Sequence, residues 1–330
     1  MRYGAIVVGA GSAGSVIAAR LSENAQRSVL LLEAGPDYAG IESTPADVLE
    51  GRWNSMRPHD WRFRAHHSQV GRPHLMPRGR VVGGSSAVNT TIALRGVPED
   101  YDDWAALGNL EWSWAKVLPY FRAMEHDVDF ADDFHGQSGP IPVRRYSYER
   151  DELVNWQRAF VDACRNLGLP LAADNNDPSS TGCGPHPMNR EGSLRISTAI
   201  AYLAPARDRP NLTVLSDTDV VRVLFDQGEA RGVEVRTKGG ATEHITAREV
   251  VLAAGAIHTP PILVRSGIGP RVVLDRLGIA VTKELAGVGE HLQDHPAIGP
   301  TLMPRDGVAS WDQPVIQTTL RYTATGSSDP

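Results

Sequence analysis

The most constraining feature of the sequence is a glycine-rich turn that lies between two short apolar runs. Residues 3–8 form the first run, the pattern G-x-G-x-x-G occupies residues 9–14, and residues 28–33 form the second run, which ends in Glu33. Apolar runs of this length are typical of strands buried on both faces of a parallel sheet. The helical spacing of apolar residues over 15–24 completes a predicted strand–turn–helix–strand unit.

Each part of this unit fits a task in binding a dinucleotide. Gly9 permits a tight turn, Gly11 lets the backbone approach a pyrophosphate, and Gly14 lets the helix pack closely on the strand. The helix N-terminus offers unpaired N–H groups and a positive dipole end to the phosphates. Glu33 can accept hydrogen bonds from a ribose hydroxyl pair and would repel a 2′-phosphate, which disfavours NADP. The pattern alone leaves NAD and FAD open.

Composition excludes several other classes of protein. The chain has 330 residues with 33 Lys and Arg against 39 Asp and Glu, a net charge of −6, so we expect no nucleic-acid partner. No apolar run approaches the ~18 residues of a membrane span, and residues 3–8 predict a strand rather than a signal peptide. Cys164 and Cys183 provide no disulfide framework, which favours a reducing, cytoplasmic location.

Two later segments repeat the glycine theme. Residues 78–89 contain a second glycine loop, and residues 248–269 repeat the strand, small-residue turn and helix. In the latter, Thr259 is a candidate helix N-cap, Pro260 would occupy the first helical position, and Gly267 would end the helix. A plain NAD dehydrogenase is disfavoured, because the second glycine loop would then have no task.

The middle of the chain predicts short strands and one amphipathic helix. The strands cover 212–215, 220–225, 232–236 and 243–246, and we interpret them as an antiparallel meander inserted before the last parallel strand. Residues 152–167 predict a helix. Its predicted apolar stripe consists of Leu153, Trp156, Phe160, Cys164 and Leu167. Cys164 is therefore interpreted as a core thiol, and Cys183, in a predicted loop without a flanking base, is not expected to be catalytic.

Together these segments resemble a known family. The fingerprint through residues 32–35, the loop at 79–89, residues 255–269, and residues 287–295, in which His291 stands where Asn is usual, are similar to those of the glucose–methanol–choline (GMC) oxidoreductases. The likeness covers nearly the whole chain and is nearest to bacterial choline dehydrogenases and hydroxymethylfurfural-oxidase-like enzymes. It implies FAD as the cofactor and hydride transfer from a primary alcohol to the flavin, with oxygen or another acceptor reoxidising it.

The resemblance also implies an architecture. We expect an α/β, Rossmann-like FAD-binding domain, with a parallel sheet, helices and the inserted meander, over residues 1–150 and 190–298. Residues 151–189 and 299–330 would be portions of an incomplete α+β substrate domain. The alcohol and the oligomeric state are not given by the sequence.

The resemblance assigns the cofactor site residue by residue. Residues near the pyrophosphate, ribose, flavin and adenine would be Gly9, Gly11, Ser12, Ala13, Gly14, Glu33, Ala34, Arg80, Val82, Gly84, Asn89, Thr90, Val220, Ala254, Gly255 and His258. Asn89 would lie near the reactive edge of the flavin, and Val220 would contact adenine by its backbone. Some family members attach the flavin through a histidine at the position of Val88, so FAD should be non-covalent here.

Two charged segments each permit either a solvent-exposed or a functional interpretation. Residues 57–80 carry six arginines and four histidines against one acid, and we favour a lid whose arginines offset pyrophosphate charge over a solvated loop. Residues 125–133 are strongly acidic and are interpreted as an exposed turn. With His126 and His135 they could imitate a metal site, but without a compact ligand pair we predict no metal.

Alcohol oxidation also requires a base for the hydroxyl proton, and histidine suits that task. In the resembled family the base is a histidine paired with His or Asn in the C-terminal part, which would lie beyond Pro330. Because His291 and His295 fall in a cofactor segment, we assign no catalytic residue within the chain and expect it to be truncated. Two alternatives remain open: a lyase with redox-silent FAD, and a catalytically incomplete FAD-binding fragment.

Overall fold

The computed structural model of the chain describes residues 2–55, 57–66, 71, 73–295, 299, 303–310, 312–324 and 326. In chain order the strands are β1 (Arg2–Val8), β2 (Val29–Leu32), β3 (Phe63–Ala65), β4 (His74–Met76), β5 (Glu125–Asp127), β6 (Ile141–Val143), β7 (Gly182–Pro185), β8 (Arg190–Glu191), β9 (Leu194–Arg195), β10 (Leu212–Leu215), β11 (Thr218–Asp226), β12 (Glu229–Thr237), β13 (Thr242–Leu252), β14 (Ile268–Gly269), β15 (Lys283–Glu284) and β16 (Thr318–Arg321).

The helices are α1 (Ser12–Leu21), α2 (Ala46–Leu49), α3 (Pro98–Ala106), α4 (Trp114–Met124), α5 (Asn155–Asn166), α6 (Gly255–Arg265) and α7 (Arg271–Arg276). Short 3₁₀ turns cover Ile41–Ser43, Gly84–Ala87, Leu110–Trp112 and Ala204–Ala206, and a π turn covers Ala199–Leu203. None of these helices is long and apolar enough to cross a membrane, a finding that extends over the described ranges only.

The chain forms two compact units. The first unit consists of Met1–Val48, Ser55–Val88 and Ser197–Gly299, and the second consists of Leu49–Asn54, Asn89–Ile196 and Pro300–Pro330. Residues 89–150, which the sequence assigned to the FAD-binding domain, belong to the second compact unit. Compactness does not by itself assign a cofactor or a substrate to a unit, so the functional division of the chain stays a prediction.

The first unit is built on a six-stranded sheet with the order β10–β2–β1–β13–β12–β11. The pairs β10–β2, β2–β1 and β1–β13 are parallel, whereas β13–β12 and β12–β11 are antiparallel. Strand β2 and the second half of β1 are apolar and buried, as expected where both faces of a sheet are covered. Ile6, Leu30 and Leu32 are at most 1% exposed and pack with Val233 and Ile262 in one core cluster.

Two details of this sheet correct the sequence analysis. Strand β10 does not belong to an antiparallel meander, because it pairs in parallel with β2. The predicted strands at 243–246 and 248–252 are one strand, β13, whose first half pairs with β12 and whose second half pairs with β1. Arg248 and Glu249 lie in the middle of this strand, where their side chains are exposed and the backbone pairing is intact.

The helix that follows β13 also differs from its prediction. Helix α6 begins at Gly255 rather than near Thr259, so Pro260 and Pro261 lie inside it. The two prolines remove two backbone donors from the helix, yet their fixed φ remains compatible with helical geometry. The predicted end is confirmed, because α6 finishes at Arg265 and Gly267 follows with φ +79°. Helix α1 likewise begins at Ser12, three residues before its predicted start.

The second unit contains α3, α4, α5 and three two-stranded sheets: β5–β6, β8–β9 and β7–β16. Helix α5 buries Gln157, Val161 and Cys164, so the predicted apolar stripe is confirmed for Leu153 and Cys164 and wrong for its other three residues. Trp156, Phe160 and Leu167 of that stripe are 42–78% exposed. The polar Gln157 is buried instead because its Oε1 accepts a 2.6 Å hydrogen bond from the Thr318 hydroxyl of β16.

Candidate cofactor site

The candidate site of the first unit lies where three parallel strands end. Val8 of β1 aligns with Leu32 of β2 on one side and with Leu252 of β13 on the other. The chain leaves all three strands at the same edge, directly before Gly9, Glu33 and the turn into α6. In open α/β sheets, ligands bind in the crevice beyond the carboxyl ends of such strands.

The first glycine turn has the backbone geometry that the sequence predicts. Gly9 has φ +95°, a left-handed conformation that L residues with side chains rarely adopt. A Cβ on Gly14 would lie 1.8 Å from the Gly9 carbonyl oxygen, so only glycine permits this close packing of α1 on the turn. A Cβ on Gly11 would meet only Gly84 Cα, at 3.9 Å, which leaves room for a ligand to approach the backbone.

Helix α1 begins at this turn, and none of its own side chains competes with a ligand for the N-terminal N–H groups. Gly11 is its N-cap, no side chain caps it, and its first turn contains no acidic residue. The first N–H groups of a helix have no partner within the helix, and they carry the positive end of its dipole. The N-terminus of α1 is therefore suited to binding phosphate oxygens.

The second glycine loop packs directly against the first. The Gly83 N–H donates a 2.7 Å hydrogen bond to the Ala10 carbonyl, and the Val82 N–H donates one of 3.0 Å to the Pro36 carbonyl. A Cβ on Gly84, whose φ is +53°, would lie 2.5 Å from Gly11 Cα. Two loops that are far apart in the sequence thus form one backbone-lined wall of the site.

Glu33 lies at the end of β2 and is 7% exposed. Its Oε2 accepts a 3.0 Å hydrogen bond from the Ala10 N–H, and its Oε1 accepts one of 2.9 Å from the Gly35 N–H. Burial raises the pKa of Glu33 from 4.5 to about 7, against the opposing effects of these hydrogen bonds and of the Arg80 charge. Each carboxylate oxygen keeps acceptor capacity for a ligand hydroxyl.

A cavity of about 1060 Å³ lies in front of these elements within the first unit. Twelve of the sixteen residues predicted for the cofactor line it. They are Gly9, Gly11, Ser12, Ala13, Glu33, Ala34, Arg80, Gly84, Val220, Ala254, Gly255 and His258. Gly14 and Val82 support the wall from inside the unit, where both are buried. Asn89 and Thr90 belong to the second unit, so their place near a flavin stays a prediction.

Sequence reasoning missed several residues that line this cavity. Trp61, Phe63, Arg236 and Arg265 are the largest of them, and Asp219 lies beside Val220 on β11. The spacing of Trp61 and Phe63, two residues apart at the start of β3, would put both rings on one face of a strand. No local signal marks Arg236 or Arg265, because only the pairing of β11 with β12 and the packing of α6 on β11 bring them to the cavity.

The charges that line the cavity favour an anionic ligand. Among the lining residues, Arg78, Arg80, Arg236 and Arg265 stand against two carboxylates, Glu33 and Asp219. The lining residues therefore carry more positive than negative charge, which suits an anionic group such as a pyrophosphate. Clefts lined by one sign of charge attract ligands of the opposite sign.

The basic segment 57–80 contributes only part of its charge to this cavity. Arg78 and Arg80 line it, whereas Arg57, Arg62 and Arg64 are exposed. His59 is buried, and its Nε2 lies 2.9 Å from the Tyr38 hydroxyl. His67 and Arg72 lie outside the described residues. That this segment acts as a lid stays a prediction.

His291 and His295, the histidines weighed as a base, are both exposed. Neither lines the cavity. The His295 N–H donates to the neighbouring Asp294 carboxylate, which itself lies 3.5 Å from Arg78. That the catalytic base lies outside this chain stays a prediction.

The acidic segment 125–133 is only partly the exposed turn that the sequence predicts. Glu125 and Asp127 form the ends of β5 and are each 2% exposed. Arg95 lies 2.5 Å from Glu125, and Arg145 lies 2.8 Å from Asp127. The prediction of an exposed turn is wrong for these two acids, because buried arginines of the same unit neutralise them.

Glu125, Asp127 and His135 bring three potential metal-ligand atoms within 4.8 Å of one another. Each of the three groups already has a partner. His135 Nδ1 lies 2.7 Å from Asp132 and its Nε2 lies 3.1 Å from Asp174. Arg95 pairs with Glu125 and Arg145 pairs with Asp127, so these groups form an ion-pair network.

The two cysteines are buried in the second unit. Cys164 and Cys183 are 3% and 1% exposed and belong to one apolar cluster with Leu153 and Val161. The interpretation of Cys164 as a core thiol is confirmed, whereas Cys183 lies on strand β7 rather than in a loop. Burial and the neighbouring Cys164 thiol raise the pKa of Cys183 to about 12, so its thiol stays protonated near neutral pH.

The chain is similar in sequence and in structure to several known flavin-family proteins. The 5-(hydroxymethyl)furfural oxidase of a Methylovorus species is 38% identical over 309 residues, which cover 89% of this chain and 57% of the relative. The oxygen-dependent choline dehydrogenase of Photobacterium profundum is 40% identical over 296 residues, covering 89% and 51%. The crystal structure of pyridoxine 4-oxidase from Mesorbium loti superposes with a TM-score of 0.79 at 35% identity, covering 86% of this chain and 56% of that one.

The chain therefore spans about half the length of the curated relatives that it matches. The similarity in structure confirms the predicted α/β fold with a largely parallel sheet. The family profile described as GMC oxidoreductase matches residues 3–297, which include both glycine loops and the whole sheet of the first unit. With this match and relatives near 40% identity, the predicted resemblance is confirmed, and the chain belongs to the GMC oxidoreductase family.

Proposed function

We propose that the first unit holds FAD non-covalently and that the chain is the cofactor-binding part of an oxidoreductase acting on the CH–OH group of a primary alcohol. The observation that carries this proposal is the cavity at the carboxyl ends of β1, β2 and β13. It unites both glycine loops, the N-terminus of α1 and Glu33 in one space of about 1060 Å³. Membership of the GMC oxidoreductase family favours FAD over the other dinucleotides.

The chain's own residues divide the work of holding the cofactor. The backbone of Gly9, Gly11 and Ser12 and the N-terminus of α1 would bind the pyrophosphate. Glu33 would accept hydrogen bonds from the adenosine ribose. Val220 of β11 lines the cavity, and its backbone would contact adenine.

The loop of Val82 and the turn Gly84–Ala87 would lie along the flavin ring, with Asn89 near its reactive edge. When FAD is bound, it supplies the hydride acceptor for the alcohol carbon, with oxygen or another acceptor taking the electrons afterwards. The protein supplies position and electrostatics. Val88 is a hydrocarbon side chain, so it offers no atom for a covalent bond to the flavin.

The location and partners follow from the same proposal. A small alcohol is the expected substrate, and the relatives' names point to choline, 5-(hydroxymethyl)furfural and pyridoxine as first candidates. We propose a cytoplasmic location, which the two reduced cysteines favour. The proton of the alcohol would be taken by a histidine outside this chain.

The test is the visible spectrum of the purified 330-residue chain, incubated with FAD and freed of excess cofactor by gel filtration. We expect flavin bands to co-elute with the protein, and acid precipitation to release all of the flavin into the supernatant. Flavin that remains on the precipitate would contradict non-covalent binding. A colourless protein would overturn the cofactor assignment.

Anaerobic addition of the three candidate alcohols then tests the chemistry. Bleaching of the flavin bands supports alcohol oxidation and shows that a base exists within the chain, which contradicts our expectation for the base. Bound flavin that bleaches with dithionite but with no alcohol supports the incomplete-fragment alternative. A lyase would also leave the flavin yellow, and it would be recognised by cleavage of an added hydroxynitrile.

A further inference from the structure

The second glycine loop, residues 78–89, is anchored near both ends by two residues from an earlier part of the chain. The Arg80 N–H donates a 2.7 Å hydrogen bond to the His59 carbonyl, and the Ser55 N–H donates one of 2.9 Å to the Val88 carbonyl. Ser55 and His59 are both buried, and both belong to the first unit. The proposed function uses the loop itself but gives no task to these two residues.

The side chains of the same two residues meet at Asp47, in the first turn of α2. The Ser55 hydroxyl donates a hydrogen bond to Asp47 Oδ2. His59 Nδ1 lies 3.5 Å from that same oxygen. One carboxylate oxygen therefore connects the two residues that hold the two ends of the loop.

Tyr38 fixes the other side of the His59 ring. Its hydroxyl lies 2.9 Å from His59 Nε2, and the two rings pack edge to face with their centroids 5.6 Å apart. Burial and then the charges of Asp47 and Asp217 raise the pKa of Tyr38, so its hydroxyl stays protonated near neutral pH. When the imidazole is neutral, this hydroxyl donates to Nε2, and the hydrogen on Nδ1 is available to the Asp47 carboxylate.

An apolar cluster joins this anchor to the loop. Val48 comes directly after Asp47 and packs with two buried residues of the loop, Val81 and Ala87. Neither Val81 nor Ala87 lines the cavity, whereas Gly84 between them does. The anchor therefore holds the loop from behind its cavity-lining backbone.

We propose that Asp47 is a positioning residue for the flavin half of the cofactor, and that it fixes the second glycine loop through Ser55 and His59. This inference rests on the proposed function, which lays that loop along the flavin ring. Asp47 itself does not line the cavity, so its effect on a ligand passes through the loop.

The backbone of the loop explains why an anchor is needed. Gly83 and Gly84 are adjacent and have φ of +96° and +53°. Glycine loses more conformational freedom than any other residue when its backbone is fixed. Contacts that fix the loop before the ligand arrives remove this entropy cost from the binding step. Loss of the anchor should therefore weaken binding of the part of the ligand that rests on the loop.

The experiment measures the affinity of the full 330-residue chain for FAD and for ADP by calorimetry, starting from apoprotein. ADP carries the adenosine and pyrophosphate parts of FAD without the flavin. Asp47→Ala removes the acceptor, and Ser55→Ala removes one donor while keeping Asp47. Glu42→Ala is the matched control, because Glu42 is an exposed acid of the same unit, shortly before Asp47, and does not line the cavity.

We expect Asp47→Ala to weaken FAD binding about tenfold, the scale of one lost hydrogen bond to a charged group, and to leave ADP binding nearly unchanged. Ser55→Ala should also weaken FAD binding. The double variant should lose no more than Asp47→Ala alone, because both residues act through one anchor. Glu42→Ala should leave both affinities unchanged. Equal losses for FAD and ADP in Asp47→Ala would overturn the inference, and so would a wild-type affinity for FAD.

Failure of the inference and failure of the proposed function give different results. If the wild-type chain does not bind FAD, the proposed function itself is wrong. If it binds FAD and ADP and Asp47→Ala keeps the wild-type ratio of the two affinities, only the inference is wrong.

Should Asp47→Ala fail to fold, Ser55→Ala carries the test. We then expect a lowered ratio of FAD to ADP affinity and a shift in the visible absorption bands of the bound flavin, because a loosened loop changes the surroundings of the ring. A wild-type ratio together with wild-type bands would contradict the inference.

Discussion

The cavity of the first unit and the ion-pair network of the second unit both contain arginines and carboxylates, but in different balance. In the network, Arg95 and Arg145 each meet buried carboxylates at 2.5–2.9 Å. In the cavity, four arginines stand against two carboxylates, and the helix N-terminus and glycine loops add further donors. Charges that neutralise one another hold a fold together, whereas a surplus of one sign beside open space indicates a ligand.

Histidine illustrates the same difference. His135 of the network is buried among three aspartates; burial acts to lower its pKa, but hydrogen bonds to Asp174 and Asp132 raise it overall. His258 of the cavity lies among rings and arginines, and burial lowers its pKa. The surroundings of the first histidine therefore favour its charged form, and those of the second favour its neutral form.

The largest expected effect is the removal of Arg145 from the network. In Arg145→Met, the buried carboxylates of Asp127 and Asp174 lose their shared cation, so we expect the free energy of unfolding to fall by about 3–5 kcal/mol. Urea unfolding followed by circular dichroism measures this change. ADP affinity of the folded variant should be unchanged.

Arg150→Met is the matched control for this variant. Arg150 also pairs with two acids, Asp129 and Glu152, but its side chain is 55% exposed. We expect a change of about 1 kcal/mol or less, because exposed ion pairs contribute little. Equal effects of the two substitutions would mean that burial does not determine how much an ion pair contributes to the free energy of unfolding.

The next largest effect is expected in the cavity. Glu33→Ala removes the acceptor for the ribose hydroxyls, and hydrogen bonds to a charged group contribute ~1.5–3 kcal/mol. We therefore expect ADP and FAD to bind about 10- to 100-fold more weakly in calorimetric titrations. Glu249→Ala, which removes an exposed acid of β13, should leave the affinity unchanged. A Glu33→Ala variant with wild-type affinity would contradict the ribose contact.

Ligand binding should also depend on pH through Glu33. Its pKa is about 7 in the ligand-free chain, and the ionised carboxylate is the better acceptor for two hydroxyls. FAD affinity should thus rise about tenfold between pH 6 and pH 8, the change expected when binding requires one group to ionise near pH 7. Glu33→Gln should give a flat profile. An affinity that falls over this range in the wild type would refute the assignment.

The same carboxyl has an opposite influence on the ligand-free fold. Burial raises the pKa of Glu33 from 4.5 to about 7, so the folded state favours the protonated carboxyl. The resulting contribution to the free energy of unfolding is complete below pH 4.5. That contribution is lost as the pH rises through 7. Ligand binding and ligand-free stability should therefore change in opposite directions over pH 6–8.

The smallest effect is expected for His135 and appears in stability rather than in affinity. Its pKa is raised, so its contribution is complete below the pKa of an unfolded histidine and is lost as the pH rises through the folded value. His135→Gln should flatten this decline in urea unfolding, with a loss smaller than that of Arg145→Met. A changed ADP affinity in His135→Gln would contradict the prediction that the network affects stability and not ligand binding.

Local patterns predicted much of the first unit. Strand β10 has the predicted bounds, β1 and β2 lie within a residue of theirs, and the glycine turn has the left-handed φ at Gly9 that its role requires. These features depend on neighbours within a few residues, so the sequence alone specifies them. The start of α6 was misjudged because prolines 260 and 261 are typical of a first turn, whereas the end of β13 fixes the helix start at Gly255.

Burial in the second unit was predicted less well. The spacing of Trp156 and Phe160 on α5 suggested an inward face, yet both rings are exposed and Gln157 is buried against Thr318 of β16, 161 residues away in the chain. Likewise, Glu125 and Asp127 looked like a solvated acidic turn until Arg95 and Arg145 were found beside them. Periodicity indicates which faces are possible, but distant partners decide which face is buried.

By itself, the sequence determined the strand–glycine turn–helix unit, the carboxylate at the end of β2 and the membership of a dinucleotide-binding family. These features depend on the spacing of residues that are close together in the chain. Only the tertiary structure decided which charges face the cavity and which are enclosed by the fold. It brought Arg236, Arg265 and Trp61 to the cavity, and it enclosed the acids of β5 with arginines in the second unit. The physical reason is that the energy of a charge or a ring depends on what lies within a few ångströms, and that neighbourhood is set by chain folding rather than by sequence distance.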